Sequence, residues 1–497
     1  YGTRFVGFDS VIPPRTIPVV ELTDLRVILD WLEYKEYYLV HGVERVAHMI
    51  RERGIEKIPV FHNYPLHCDP PLNVVEMERA IDYQGIDLYL HKEGYNTLKH
   101  ICLQLAGTSR FPFLAEFGAG VWVTVPPPRP HEEEFLKLSA LMHGIKGMNH
   151  YMAVERDRWT GSPIKQDGTI REDYFSVYKN LGAFISQYAP MEFDRVVEIL
   201  LVRVRDYDRL SSAATPLNVP FFYYLRNLLH PFPRQLPPVS RWIGFDSCLL
   251  DDYLGWIDFF ETALSASGYG YNIGDTELDL EELSRYKVII LPTFSFLNVK
   301  VQKRLLRYVS AGGTAILGPE IPTLNEFIKP MAPLSSILEK PVGRLSNGLI
   351  DGVAVRRVRA FSAPSLIQMD NQAVAYRKKF GRGQLIHLGF AFEPGKHPLS
   401  EKAGKLARKI LSTTGVESTG TVLNPLVNTA LHRSKDGREL IYISNPTPQE
   451  QELRLETLSR GRKIRRLWSR GSRLDAKSGT PILHLSPYTV IILEVSE

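Results

Sequence analysis

The apolar run Phe111-Pro-Phe-Leu-Ala-Glu-Phe-Gly-Ala-Gly120 constrains this chain more than any other stretch. It is short enough for one buried strand, it carries a carboxylate at Glu116, and it then breaks into glycines. A parallel strand that ends in an acid and turns on glycine is how a (β/α)8 barrel sets a reactive group at its C-terminal face. The flanking sequence keeps the same rhythm. Strands are predicted at Ile58–Asn63, Ile86–Leu90, Phe113–Glu116 and Gly147–Ala153, with helices over 27–53, 73–83, 95–106, 131–143 and 173–188. The fourth of these helices follows Pro130 and opens His-Glu-Glu-Glu, acids that the positive end of a helix favours. Alternating β and α units imply a parallel sheet covered by helices.

Residues 1–190 hold only four such units. Half a barrel leaves two open sheet edges and an unfilled interior. Four more units, roughly 120–200 residues on the usual size of such barrels, are therefore expected upstream of Tyr1, on the same polypeptide or on a companion chain. A small open α/β sheet is the alternative that needs nothing more. A first residue other than Met agrees with a processed or truncated product.

At 497 residues the chain is too long for one ordinary domain. The later segments supply the others. Over 191–395, Val196–Val202 and Val288–Pro292 read as buried parallel strands, 251–267 as an amphipathic helix closed by Gly268, and 299–310 as a helix before Gly312-Gly313 and a further strand at Thr314–Pro319. Residues 396–497 begin with a helix over 400–413 and turn β-rich, with strands at Glu439–Ser444 and Tyr488–Val495, the pattern of a small antiparallel sandwich. The Pro-, Phe- and Tyr-rich stretch Leu217–Pro238 reads as a long loop, either a surface excursion or an arm over the barrel mouth or a partner subunit.

Charge and cysteine usage exclude several function classes. The net charge of +5 is diffuse, which argues against nucleic acid, and the basic run Arg460–Arg466 reads as a solvated strand face. No apolar run is long enough for a membrane span and no secretory leader pattern opens the chain. Cys68, Cys102 and Cys248 are widely spaced, with no Cys-x-x-Cys pair, which agrees with a reducing compartment and an expected cytoplasmic location. His62, His67, Cys68 and Asp69 match no established metal spacing, so neither metal nor cofactor is expected. No Gly-x-Gly-x-x-Gly follows a strand.

Taken in order, the motifs resemble the β-galactosidases of glycoside hydrolase families 42 and 35, a clan built on the (β/α)8 barrel. Tyr1-Gly-Thr-Arg-Phe5 and Phe8-Asp-Ser-Val-Ile-Pro-Pro14 look like the segment after the fourth barrel strand. Pro59-Val-Phe-His-Asn63, Asp87-Leu-Tyr89 and Phe113-Leu-Ala-Glu-Phe-Gly118 look like strands five, six and seven. Gly144–Met152, then Trp159–Ile164 and Asp167-Gly168, look like the eighth strand and its loop, in the texture of family 35. The resemblance implies half of a catalytic barrel over 1–190, a flavodoxin-like (glutaminase-like) oligomerisation domain over 191–395 and a β-sandwich over 396–497. A dimer or trimer follows from the second domain. The cysteine-rich metal site of the family is not visible, and its acid/base Glu falls before Tyr1.

The implied chemistry is retaining hydrolysis of a β-glycoside, which needs two carboxyl groups about 5–5.5 Å apart. Glu116 takes the place of the nucleophile. Tyr89 is expected to donate to it, with positive charge from Arg156 and Arg158. Asn63, Tyr89, Trp122, Tyr151, Glu155, Arg156 and Trp159 form the expected substrate-binding set, Trp122 and Trp159 serving as sugar platforms or as packing. Glu155 binds sugar hydroxyls or else pairs with Arg158; Asp87 lines the barrel top or sits lower in its packing layers. Terminal β-D-galactosides are the first expected substrate. The alternatives are an exo-β-D-glucosaminidase acting on chitosan-type oligosaccharides, and a catalytically inactive sugar-binding or scaffold chain.

Overall fold

The computed structural model describes residues 5–12, 22–65, 69–214, 249–393, 401–418, 424–454, 463–475 and 482–496. Its first part alternates helix and strand: α1 (Leu22–Glu52), β1 (Phe61–Pro65), α2 (Val74–Ala80), β2 (Tyr83–Leu88), α3 (Tyr95–Thr108), β3 (Phe113–Gly118), a two-residue β4 (Val121–Trp122), α4 (Pro130–Met142), β5 (Gly147–Tyr151), β6 (Trp159–Thr160) and α5 (Glu172–Tyr188). Strands β1, β2, β3 and β5 form one parallel sheet in that order. The strand predicted from Ile58 starts three residues later, because Asp82 draws the Val60 amide to its carboxylate instead. The sixth-strand match begins earlier, at Tyr83, and ends at Leu88.

Each strand sends one face to the helices. Ile86, Leu88, Leu114 and Phe117 lie against α2, α3 and α4 and are at most 1% exposed. Burying each contributes about 1.5–3 kcal/mol. The opposite face is the concave one. Along β1 it holds Phe61 and Asn63, which alternate with the partly buried His62 and Tyr64 and remain exposed. Phe61 is 53% exposed although it meets Phe113 edge to face. Between α1 and β1 an apolar groove of about 810 Å³ is lined by Trp31, Tyr34, Tyr38, Val46, Phe61 and Tyr64, among others.

The chain then adds β7 (Phe193–Arg195), which joins an antiparallel sheet whose other strands come from residues 428–496. β8 (Ile199–Arg203) starts a second parallel sheet with β9 (Tyr271–Asp275), β10 (Val288–Thr293), β11 (Thr314–Pro319) and strand Gly383–Leu388. Two antiparallel strands, Gln372–Phe380 and Ser365–Met369, extend it to seven. This sheet is sealed by Trp256, Phe259, Phe260 and their neighbours on helix Leu249–Ala266. In the last part a five-stranded and a three-stranded antiparallel sheet enclose Ile443, Leu453, Leu483 and Ile491. The outer face of the five-stranded sheet, with Leu440, Tyr442, Ile492 and Trp468, packs on Phe135 of α4 and Phe184 of α5.

Buried ion pairs tie the two parallel sheets together. Glu36 of α1 receives Arg205 and Arg209 of α6 (Arg205–Ala214), the latter at 2.8 Å. The paired guanidinium groups hold the Glu36 carboxyl below its usual range, against the burial that opposes them. The stretch Leu217–Pro238 and residues Arg460–Arg462 lie outside the described residues, while Arg465 stands on an exposed strand face and pairs with Glu494. Among the described residues no helix is long and apolar enough to cross a membrane.

Candidate active site

Glu116 reaches the concave face through an irregularity in β3. Phe113 is level with Gly85 of β2, and strict alternation from Phe113 would turn Ala115 inward and Glu116 toward the helices. The register instead steps from Ile86↔Leu114 to Asp87↔Glu116, and on the other side from Leu114↔Met148 to Phe117↔His150. One extra residue on β3 against both neighbours is a bulge, which re-aims the side chain that follows. Asn149 of β5 donates its side-chain amide to the Ala115 carbonyl at 3.0 Å, partnering the group that the bulge takes out of the ladder. Nothing in the sequence marks Asn149 for this role, since its partner is set by a register shift.

Two donors hold the Glu116 carboxylate. The Tyr89 hydroxyl donates to Oε2, and the Asn63 amide nitrogen lies 3.3 Å from Oε1. The same nitrogen lies 3.1 Å from Oδ2 of Asp87. Burial and then the hydrogen bond to Glu116 push the Tyr89 phenol well above its ordinary value, so it stays a donor. Asp87 is 7% exposed and stands beside Glu116 across the β2–β3 pair. Burial, then the Glu116 charge, push its carboxyl up to about 7, with the Asn63 hydrogen bond pulling the other way. Asp87 thus sits within the cluster.

The strand ends are braced from outside. Buried Lys137 of α4 donates to the Gly118 carbonyl and pairs with Glu133 at 3.0 Å, and Tyr178 of α5 donates to the same Glu133 at 2.9 Å. A Cβ on Gly118 would stand 3.1 Å from the Tyr89 ring, so glycine lets that ring lie close over the strand. Gly120 has φ +81°, and a Cβ there would come within 2.6 Å of the Thr160 carbonyl. That close approach lets β4 and β6 pair as a short ribbon above the strand ends.

The expected aromatic residues gather on this ribbon. Trp159 is 5% exposed, donates its indole N–H to the Ala119 carbonyl at 3.0 Å, and meets Tyr89, Tyr151 and Trp122 edge-on at 5.8, 5.5 and 6.0 Å. It is a wall that fixes Tyr89 and Tyr151, with no open ring face. Trp122 is 47% exposed and keeps one. Arg156 turns to the Tyr151 hydroxyl at 3.0 Å, and Arg158 occupies a left-handed turn at φ 62°. Among the described residues neither guanidinium bonds Glu116, whose donors are a phenol and an amide. Glu155 pairs with Arg171 at 2.9 Å, not with Arg158, and accepts from the Gly161 amide at 2.7 Å. It organises the loop that carries Trp159.

Asp69 pairs with Arg203 at 2.6 Å, and burial lowers the His62 pKa. His67 and Cys68 lie outside the described residues.

Comparison with known proteins gives relatives of the chain and of its fold. Residues 245–379 match the family model described as GLMA-like, second domain. The chain is 22% identical over 466 residues to an exo-β-D-glucosaminidase of Pyrococcus horikoshii, covering 85% of this chain and 56% of the relative. It is 30% identical over 429 residues to a β-1,2-glucosyltransferase of Ignavibacterium album, covering 79% of this chain and 58% of the relative. The chain therefore spans less than two thirds of either relative. Among solved structures, a catalytic mutant of a GH42 β-galactosidase from G. stearothermophilus superposes with a TM-score of 0.72 at 13% identity, over 99% of this chain and 71% of that one. The chain shares the fold of that enzyme.

Proposed function

We propose that this chain is part of a retaining exo-acting β-glycosidase in which Glu116 is the nucleophile. The observation that carries the reading is the Glu116 carboxylate, turned to the concave face by a bulge and held there by Tyr89 and Asn63. Two neutral donors orient the carboxylate without a cation to quench its charge, which suits attack on an anomeric carbon. The oxocarbenium-like transition state is positive at that carbon, and a nearby negative charge stabilises it. Tyr151, Arg156 and the open face of Trp122 line the same mouth and are the proposed sugar contacts.

On this reading the second carboxyl group comes from further βα units; among the described residues the carboxyl group beside Glu116 is that of Asp87. Asp87 is a poor substitute, because its Oδ1 is buried and its Oδ2 is taken by the Asn63 amide. The exposed edge and inner face of β1, together with the aromatic groove against α1, are the surfaces that further βα units of a barrel cover. We assign the acid/base to those units, carried upstream on the polypeptide or by a companion chain. On this reading residues 1–190 complete a catalytic barrel, 191–395 form an α/β domain that supports oligomerisation to a dimer or trimer, and 396–497 a β-sandwich.

For the substrate, the two sequence relatives, an exo-β-D-glucosaminidase and a β-1,2-glucosyltransferase, are both named for gluco-configured sugars. They favour a terminal β-D-glucosaminide or β-D-glucoside, with β-D-galactosides as the second reading on the motif resemblance. The glucosyltransferase relative also fits the mechanism, since a glycosyl-enzyme is released by a sugar hydroxyl as well as by water. The test is a panel of aryl β-D-glucosaminides, glucosides and galactosides with the intact protein and its Glu116→Gln variant. Turnover of one sugar, abolished in the variant with folding retained, is expected. Equal turnover in both proteins overturns the assignment, and no turnover of any sugar supports a sugar-binding or scaffold chain.

A further inference from the structure

The side-chain nitrogen of Asn63 has two N–H groups and two carboxyl groups to serve. It lies 3.1 Å from Asp87 and 3.3 Å from Glu116. Asp87 Oδ1 is fully buried and has no hydrogen-bond partner. The titratable groups that bear on Asp87 are Glu116 from β3 and the Tyr89 phenol from the turn after its own strand, while β1 contributes the uncharged Asn63. Among the described residues no lysine, arginine or histidine pairs with Asp87. An ionised Asp87 would leave a charged oxygen buried without a donor, and would set two negative charges around one amide.

We infer that Asp87 is a positioning residue that holds a proton in the resting site, leaving a single negative charge, that of Glu116, facing the sugar. The inference rests on Glu116 as the nucleophile and specifies how its charge is regulated. Once Glu116 forms the glycosyl ester it becomes neutral, and Asp87 then ionises more readily. Release of the sugar reverses this. Water oxygen bonds to the anomeric carbon, the bond from that carbon to the Glu116 oxygen breaks with its electron pair going to the carboxylate, and the water proton passes to the acid/base. Regenerating the Glu116 charge beside an already ionised Asp87 is unfavourable, so the proton on Asp87 favours release. By linkage, high pH favours the covalent intermediate over the free enzyme.

The test follows breakdown of a glycosyl-enzyme, trapped from an activated 2-deoxy-2-fluoro-β-glycoside, against pH in the intact protein and in D87N. The neutral asparagine keeps an acceptor oxygen and removes the ionisation. Because Asp87 ionises at lower pH once Glu116 is esterified, breakdown in the wild type is expected to slow relative to D87N already as pH rises toward the free-enzyme value of about 7, by about tenfold for each pKa unit of interaction between the two carboxylates. Superposable profiles overturn the inference while leaving the nucleophile intact. Infrared difference titration decides the matter independently of turnover. A protonated-carboxyl band lost near that pH in the wild type must be absent from D87N and must move to lower pH in E116Q. An unmoved band in E116Q overturns the coupling even if D87N fails to fold, and unchanged turnover in E116Q sinks the functional reading instead.

Discussion

The side-chain amide of Asn149 donates to the main-chain carbonyl of Ala115 at 3.0 Å, the residue before Glu116. This contact links two adjacent strands at the step where their register slips by one residue. Without that slip the carboxylate would face the helices. The placing of the Glu116 carboxylate therefore depends on a neighbouring strand as much as on its own.

Asn149→Leu should uncouple position from composition. The Ala115 carbonyl then loses its partner, at a cost of about 1–3 kcal/mol, and the bulge is free to relax. The expected result is a fall in kcat of about tenfold or more with a modest loss in urea midpoint. An unchanged kcat would show that the bulge holds itself.

Tyr89→Phe removes one of two donors to Glu116 and keeps the ring packed against Trp159 and Tyr151. A hydrogen bond to a charged group contributes about 1.5–3 kcal/mol, so kcat/KM should drop by about tenfold to a hundredfold. The thermal midpoint should move little. Full activity in the phenylalanine variant would remove Tyr89 from the site.

Gly120→Ala meets two obstacles. Alanine at φ +81° carries a strain of about 1–2 kcal/mol, and its Cβ would press within 2.6 Å of the Thr160 carbonyl. The ribbon β4–β6 should separate and carry Trp159 with it. Loss of indole fluorescence anisotropy together with a lowered melting temperature is expected; an unaltered melting curve would count against the close approach.

Acid should destabilise the fold before it titrates ordinary carboxylates. His143, His387 and His432 are at most 4% exposed. Burial lowers all three, helped by the Arg195 charge at His143 and His432 and by Arg359 at His387. His387 and His432 fall to about 3. A folded pKa below the unfolded value of about 6.5 means the stabilisation is whole above that pH. It is lost as pH falls through the interval down to about 3. Urea midpoints measured across that interval should decline steadily. A flat profile down to pH of about 4 would contradict neutral buried histidines.

The edge of β1 offers a test of the barrel that needs no substrate. On the proposed barrel, amide exchange over Phe61–Pro65 should be fast in residues 1–497 alone and much slower when the proposed further βα units are present, because covered strand edges are protected. Equal protection in both would mean that nothing pairs with this edge.

Local pattern alone determined a good deal. The strand that carries Glu116 (though it runs two residues further, to Gly118), the order of the βα units and the helices over α1, α3, α4 and α5 follow from apolar spacing, first-turn acids and glycine, all properties of neighbours in sequence. The Asp87-x-Tyr89 pair and Asn63 were legible as strand-end polar residues. What they do to one another was not. That Asp87 and Glu116 share one amide, that Asn149 supports the bulge, that Glu155 answers to Arg171 rather than Arg158, and that Trp159 is walled in were decided by the tertiary structure. Each depends on how strands far apart in sequence come into register, and a one-residue slip in register turns every side chain to the opposite face. The pattern of a strand names its inward residues only while the ladder is regular, and this chain places its carboxylate where the ladder is not.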